Sequence, residues 1–360
     1  MKKLMALLLA VVLVCSFAAC GGGKDDGTYE IALVTDVGNI DDKSFNEGAW
    51  NGVKEYAEAN KISYNYYRPS EDSTAARVET IGTAIEKGAK VVVCPGYLFE
   101  EAIYQVQDLY PEVQFLLLDG EPHDADYNYK TAANVHCILY QEEWAGFFAG
   151  YAAVADGYTK LGFMGGMDVP AVIRFGYGFV QGAEYAGKVL GLAEGAIEIN
   201  YTYVGSFAPS DDIKVKADGW YTAGTEVIFS CGGGIYQSIV AAADATENCK
   251  VIGVDVDQSA ESERIITSAM KNLTGSVKLA LTDLYANNGK WTDADAGKTA
   301  ILGIKEDCVG IPTAEGSWRL NKFTVDEYKV LYEMAVNGEV SVSNDTMTVP
   351  ATTIVKLNVQ

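Results

Sequence analysis

From Tyr29 onward the chain alternates short apolar runs with amphipathic stretches, and this rhythm restricts the available folds more than any other feature. "EIALV" is followed by a helical pattern from Ser44, "ISYNYY" by "STAARVETIGTAIEKG", "KVVVC" by "FEEAIYQVQDLY", and "VQFLLLD" closes the series. Near-continuous apolar strands separated by helices predict a parallel sheet covered on both faces. The segment "YKTAANVHCILYQEEWAGFFAGYAAVADG" reads as one long Ala-rich helix without a strand of its own. A second series follows: "KLGFMGG", a helix over 171–190, "EINYTYV", a helix near 209–220, "EVIFSC", a helix over 235–245, and "KVIGVD". Two similar series predict two α/β domains facing each other. The expected N-terminal domain covers 28–135 with part of 265–290, and the C-terminal domain covers 136–260 with part of 291–360.

Residues 1–19 stand apart from this pattern. Lys2 and Lys3 precede an unbroken apolar run from Leu4 to Val14, and small Ala18 and Ala19 precede Cys20. The run is short for a membrane span and has the layout of a secretory signal. A small-residue site ending on cysteine resembles a bacterial lipobox, although Phe17 stands where Leu is more usual. The expectation is an acylated Cys20, with residues 20–27 as a flexible tether to the outer face of the cell membrane. A formal charge of −22 repels phosphate backbones and argues against nucleic-acid binding. Cys94, Cys137, Cys231, Cys249 and Cys308 are scattered and lack C-x-x-C spacing, so they read as structural rather than as disulfide or zinc positions.

In open parallel sheets ligands bind beyond the carboxyl ends of the strands, so the informative residues follow the apolar runs. Ser44 and Glu47 have capping-box spacing, which places Phe45 and Asn46 in the first turn of a helix at that edge. On position alone, Phe45 is either a staple folded under the helix or a ring facing a cleft. Phe207, in "YVGSFAPSDD", holds the matching place in the second series. Asp119 and Asp255 end "VQFLLLD" and "KVIGVD", and Gly232, Gly233 and Gly234 leave room for close approach to a backbone. Lys278 falls in the first turns of a helix, where the macrodipole disfavours a cation unless an acid or ligand answers it. Together these residues favour the cleft-facing ring and suit a planar heterocycle bearing hydroxyl groups. Aromatic faces sandwich the ring, and ionised carboxylates accept hydrogen bonds from N–H and O–H groups.

The stretches "DDKSFNEGAWNG", "LGFMGGMDVPAVIRFGYGFVQGAEYA", "GVDVDQ" and "ITSAMK" resemble the basic membrane protein family of substrate-binding lipoproteins, which includes purine nucleoside receptors of ABC transporters. The resemblance runs over essentially the whole chain after the leader. It implies the type I periplasmic-binding-protein fold, two α/β domains joined by three crossovers that close on ligand. It also implies that Phe45 and Phe207 sandwich a purine, that Asn46 and Asp119 bind its edge, and that Asp255 and Lys278 hold the ribose. Gly233 would lie near the sugar, with Asp36 a further contact. The family's G-G-T-G run stands here as "CGGGIYQS", matching at Gly232 and Gly233 and departing at Gly234 and Ile235. The implied partners are a purine nucleoside and an ABC permease, for a monomeric receptor without catalysis or cofactor. Rival readings are the same fold with another ligand, such as riboflavin, or a secreted nucleoside hydrolase built on Asp36, Asp41 and Asp42.

Other motifs fail on context. "GAEYAGKV" ends in Val189 where a P-loop needs Ser or Thr, and it falls inside a predicted helix. "DADYNY" lacks the Gly and the final Glu of a calcium loop. His123 and His136 have no helical pairing, which leaves metal or triad chemistry little to build on.

Overall fold

The structure, a computed structural model, describes residues 27–360; the expected signal and Cys20 lie outside them. The elements run β1 (Ile31–Val34), α1 (Phe45–Asn60), β2 (Tyr64–Tyr67), α2 (Thr74–Glu86), β3 (Val91–Pro95), α3 (Glu100–Val106), β4 (Gln114–Leu118) and β5 (Val135–Tyr140). Then follow α4 (Glu142–Ala155), β6 (Lys160–Gly165), α5 (Pro170–Val189), β7 (Ile197–Tyr203), α6 (Asp211–Thr222), β8 (Val227–Cys231), α7 (Tyr236–Ala245) and β9 (Lys250–Asp255). The last third holds β10 (Ile265–Lys271), α8 (Leu273–Ala286), β11 (Lys298–Leu302), β12 (Val309–Gly310), α9 (Val325–Val336) and β13 (Val355–Val359).

Two sheets result, in strand orders β11-β5-β4-β3-β1-β2 and β12-β10-β9-β8-β6-β7-β13. All pairings within them are parallel except β10 with β12. Central strands such as Ile31–Val34 and Val91–Pro95 are buried along their whole length, as expected of strands covered by helices on both faces. The chain passes between the sheets after β5, after β10 and after β11, which makes the three crossovers the resemblance implied.

Two expectations need correction. The segment around Val135 is not one helix: Val135–Tyr140 pairs with both β4 and β11, and α4 begins only at Glu142. A short, fully buried apolar strand running into an Ala-rich helix has no period that separates it from helix. The domain boundaries shift with it. β5 and β11 belong to the first sheet, β10 belongs to the second, and α8 packs against α1 of the first domain.

Helix α4 lies almost in backbone contact with α5. A Cβ at Gly146 would stand 2.1 Å from Phe175 O, and one at Gly178 would stand 2.1 Å from Glu143 O. Small residues at these crossings let the two helices close up and bring the start of α4 beside the first turns of α5.

Candidate ligand site

A cavity of about 280 Å³ opens between the two domains at the carboxyl ends of their strands. Phe45 and Phe207 line it from opposite domains, with Asp36, Asn46, Asp119, Gly233 and Asp255. Val169, Val172 and Phe175, from the start of α5, supply an apolar wall that was not predicted.

The turn before α1 is built by Asp42. Its Oδ1 accepts from Ser44 N at 2.9 Å and Glu47 N at 3.0 Å, and its Oδ2 accepts from Asn46 N at 3.1 Å. Asp42 is therefore the cap, and the expected Ser44–Glu47 capping box does not form. The Ser44 side chain makes no cap bond; its hydroxyl crosses to the other domain and donates to Asp255 Oδ2 at 2.5 Å. Burial pushes the Asp42 carboxyl up to about 6, against the pull of Asn46 and the two backbone donors.

Asn46 lines the cavity but is occupied internally. Its Nδ2 donates to Asp36 Oδ1 at 2.8 Å and Asp42 Oδ2 at 2.9 Å, and its Oδ1 accepts from Asp36 N at 3.2 Å. With both amide hydrogens already donated, it orients two carboxylates and has none left for a ligand edge. Asp36 also accepts from Gly38 N at 2.6 Å, and burial raises its pKa.

Asp119, the residue after β4, and Asp255, the last of β9, lie in the left-handed region at φ 57° and 66°, a conformation that short polar side chains tolerate. Both meet the same cation, Lys271, the last residue of β10. Its Nζ lies 2.5 Å from Asp119 Oδ2, 3.4 Å from Glu142 Oε1 and 3.6 Å from Asp255 Oδ1. It also stands 4.5 Å from the centroid of the Phe45 ring. Burial alone would lower the Lys271 pKa, but the three carboxylates raise it. Arg174 Nε holds the far side of Glu142 at 2.6 Å. Burial opposes ionisation of Glu142, yet Arg174 and Lys271 bring its pKa below the usual value. Asp119, sharing its ammonium with two other acids, is pushed up to about 7 by burial. Its Oδ1 is buried without a partner, an open acceptor on the cavity wall.

Lys278 does not line the cavity. It sits on the outer face of α8, half exposed, and pairs with Glu55 at 2.7 Å. The amine of the site is Lys271, and the signal for it was present: it ends the apolar run "IITSAMK", as Asp119 and Asp255 end theirs. Glu142, Arg174 and Arg68, the last an exposed residue at the cavity after β2, were also missed. Nothing in a linear pattern marks Glu142 and Arg174, which meet only because α4 and α5 pack so closely.

Gly232 and Gly233 lie against Phe207. A Cβ at Gly232 would stand 3.0 Å from Phe207 Cδ1, so the ring takes the room left by that glycine. The five cysteines beyond residue 26 are buried and free, and Cys231 borders the cavity. Among the described residues no His, Cys, Asp and Glu group could hold a metal ion, and no helix is long and apolar enough to cross a membrane.

Two parallel-sheet domains, three crossovers and a polar-floored cleft define a type I periplasmic-binding-protein fold. A solute-binding protein of an ABC transporter system from Aeropyrum pernix shares it, with a TM-score of 0.67 and 24% identity over 88% of each chain. An arabinose-binding protein from Geobacillus stearothermophilus matches with a TM-score of 0.59 at 13% identity, covering 84% of this chain and 99% of its own. Residues 30–348 match the Bmp family, described as "ABC transporter substrate-binding protein PnrA-like", and the chain belongs to that family. Basic membrane protein A of Borreliella afzelii is 31% identical over 82% of this chain and 86% of its own. The CD4+ T-cell-stimulating antigen of Listeria monocytogenes is 28% identical over 95% of this chain and 98% of its own.

Proposed function

We propose that this protein is a lipid-anchored extracytoplasmic receptor that encloses a purine nucleoside between its domains and presents it to an ABC permease. The observation that carries this reading is one cavity combining a phenylalanine ring from each domain with a carboxylate–ammonium cluster. The rings suit the two faces of a flat heterocycle, each contact contributing about 0.5–1.5 kcal/mol beyond area burial. Asp119 Oδ1 and the carboxylate of Asp255 suit donors from a ring N–H or from sugar hydroxyls. In this account Asn46 and Asp42 act by shaping the turn that carries Phe45. Binding closes the domains, and the closed surface is what a permease distinguishes from the empty form.

The test is calorimetric titration with inosine, guanosine, adenosine and riboflavin, with chromatography of the recovered ligand. Saturable one-to-one binding of a nucleoside recovered intact is expected. Binding of riboflavin alone would move the assignment to the same fold with another ligand, and release of free base would make the protein a hydrolase.

A further inference from the structure

Phe207 rests against two glycines that follow neighbouring strands: Gly166 after β6 and Gly232 after β8. Gly166 N donates to Cys231 O at 2.9 Å, so the two strand ends stay joined up to the point where the ring lies. A Cβ at Gly166 would stand 2.3 Å from Phe207 Cδ1 and 2.4 Å from Cε1. Close-packed carbon atoms do not approach to that distance, so the ring holds its place only because residue 166 has no side chain.

The ring is the closest neighbour of that Cβ; the next, Ser206 O, would stand at 3.0 Å. Gly166 is not part of the cavity wall, and its φ is outside the left-handed region. Its carbonyl accepts from Val204 N at 3.1 Å and Gly205 N at 2.8 Å, bonds open to any residue. The opposite ring is seated differently. A Cβ at Gly96 would stand 3.6 Å from Phe45 Cε1, an ordinary contact, and the Lys271 ammonium lies 4.5 Å from that ring's centroid. The tight seat is thus on the Phe207 side.

We propose that Gly166 is a positioning residue for ligand recognition: by leaving room for the Phe207 ring against the sheet edge, it sets the width of the aromatic slot. A methyl group at 166 drives the ring into the slot and closes it to flat heterocycles. The proposal takes its ligand from the nucleoside reading, while the ring placement stands apart from it.

Two measurements on the full chain test it. The first places 4-fluorophenylalanine at position 207 and compares the fluorine resonance of the otherwise unaltered protein with that of Gly166→Ala. A displaced resonance is expected, and an unchanged one overturns the proposal whatever the ligand is. The second is a double-mutant cycle by calorimetry with inosine and by thermal unfolding. Gly166→Ala should weaken inosine binding by about tenfold or more and lower Tm. Both effects should shrink sharply when Gly166→Ala is made on a Phe207→Ala background, where the ring overlap is gone and only the 3.0 Å approach to Ser206 O remains. Equal losses on both backgrounds overturn the proposal, because Gly166 would then act without Phe207. If the unaltered protein takes up no inosine, the nucleoside reading fails, and the fluorine resonance with the Tm cycle still decides the seat.

Discussion

Lys271 Nζ lies 2.5 Å from Asp119 Oδ2, and this pair ties the end of β10 in one sheet to the end of β4 in the other. The lysine side chain is 2% exposed and its ammonium also faces Glu142 and Asp255. Replacing it with Met keeps the stem but leaves Asp119 without its ammonium, Asp255 with its Ser44 bond and Glu142 with Arg174. Removing one partner of a buried ion pair destabilises by about 3–5 kcal/mol. Lys271→Met should therefore lower the denaturant midpoint strongly and abolish ligand binding. A variant as stable as the parent would refute the role given to this cation.

Lys278→Ala is the matched control. The residue pairs with Glu55 on the outer face of α8, away from the cavity. Calorimetry should return the parental affinity, and a tenfold or greater loss would restore Lys278 to the site.

The pH dependence has a definite sign. Burial pushes the folded Asp119 up to about 7, with Lys271 opposing and Glu142 adding to the rise. An unfolded Asp releases its proton near pH 3.9, so the folded state keeps a proton that the unfolded chain has lost. The contribution of Asp119 to stability is present below about pH 4 and is lost as pH rises to about 7. Burial acts on Asp42 and Asp36 in the same direction. The Tm of Asp119→Asn relative to the parent should climb from about pH 4.5 to about pH 7 and then level off. A relative Tm that falls over that range would contradict the assignment.

Asp42→Ala removes the acceptor for three backbone N–H groups at the start of α1. Loss of a helix N-cap costs about 0.5–2 kcal/mol. Because the same turn presents Phe45, the variant should lose ligand affinity as well as Tm. An unchanged affinity would separate the cap from the ring it precedes.

Asp119 Oδ1 also gives a specificity prediction. Above about pH 7, where the folded Asp119 is ionised, an oxygen facing ring N1 should make inosine and guanosine, which carry N1–H, bind more tightly than adenosine, which does not. The preference should shrink in Asp119→Asn. Equal or tighter adenosine binding by the parent protein would exclude this contact.

The two-domain plan was legible because each buried strand announces itself as an apolar run, and the strand ends locate the cleft. Phe45, Phe207, Asp36, Asp119, Gly233 and Asp255 all line the cavity for that reason. Lys271 obeys the same rule, whereas the cation early in α8, Lys278, is answered by Glu55 rather than by the cleft. β5 was lost because "VHCILY" has neither alternation nor a turn before α4, so only its pairing with β4 and β11 reveals it. Asp42 shows a different limit. Its spacing to Ser44 and Glu47 becomes a cap only when the loop folds back, while Ser44 spends its hydroxyl on the opposite domain.

The most direct test of the central claim is mass spectrometry of whatever small molecule leaves the protein when it is purified from a nucleoside-containing extract and denatured. The account predicts an intact purine nucleoside in stoichiometric amount, absent when Phe45 and Phe207 are both replaced by Ala. Recovery of a different compound, or of the same nucleoside from the double variant, would contradict it.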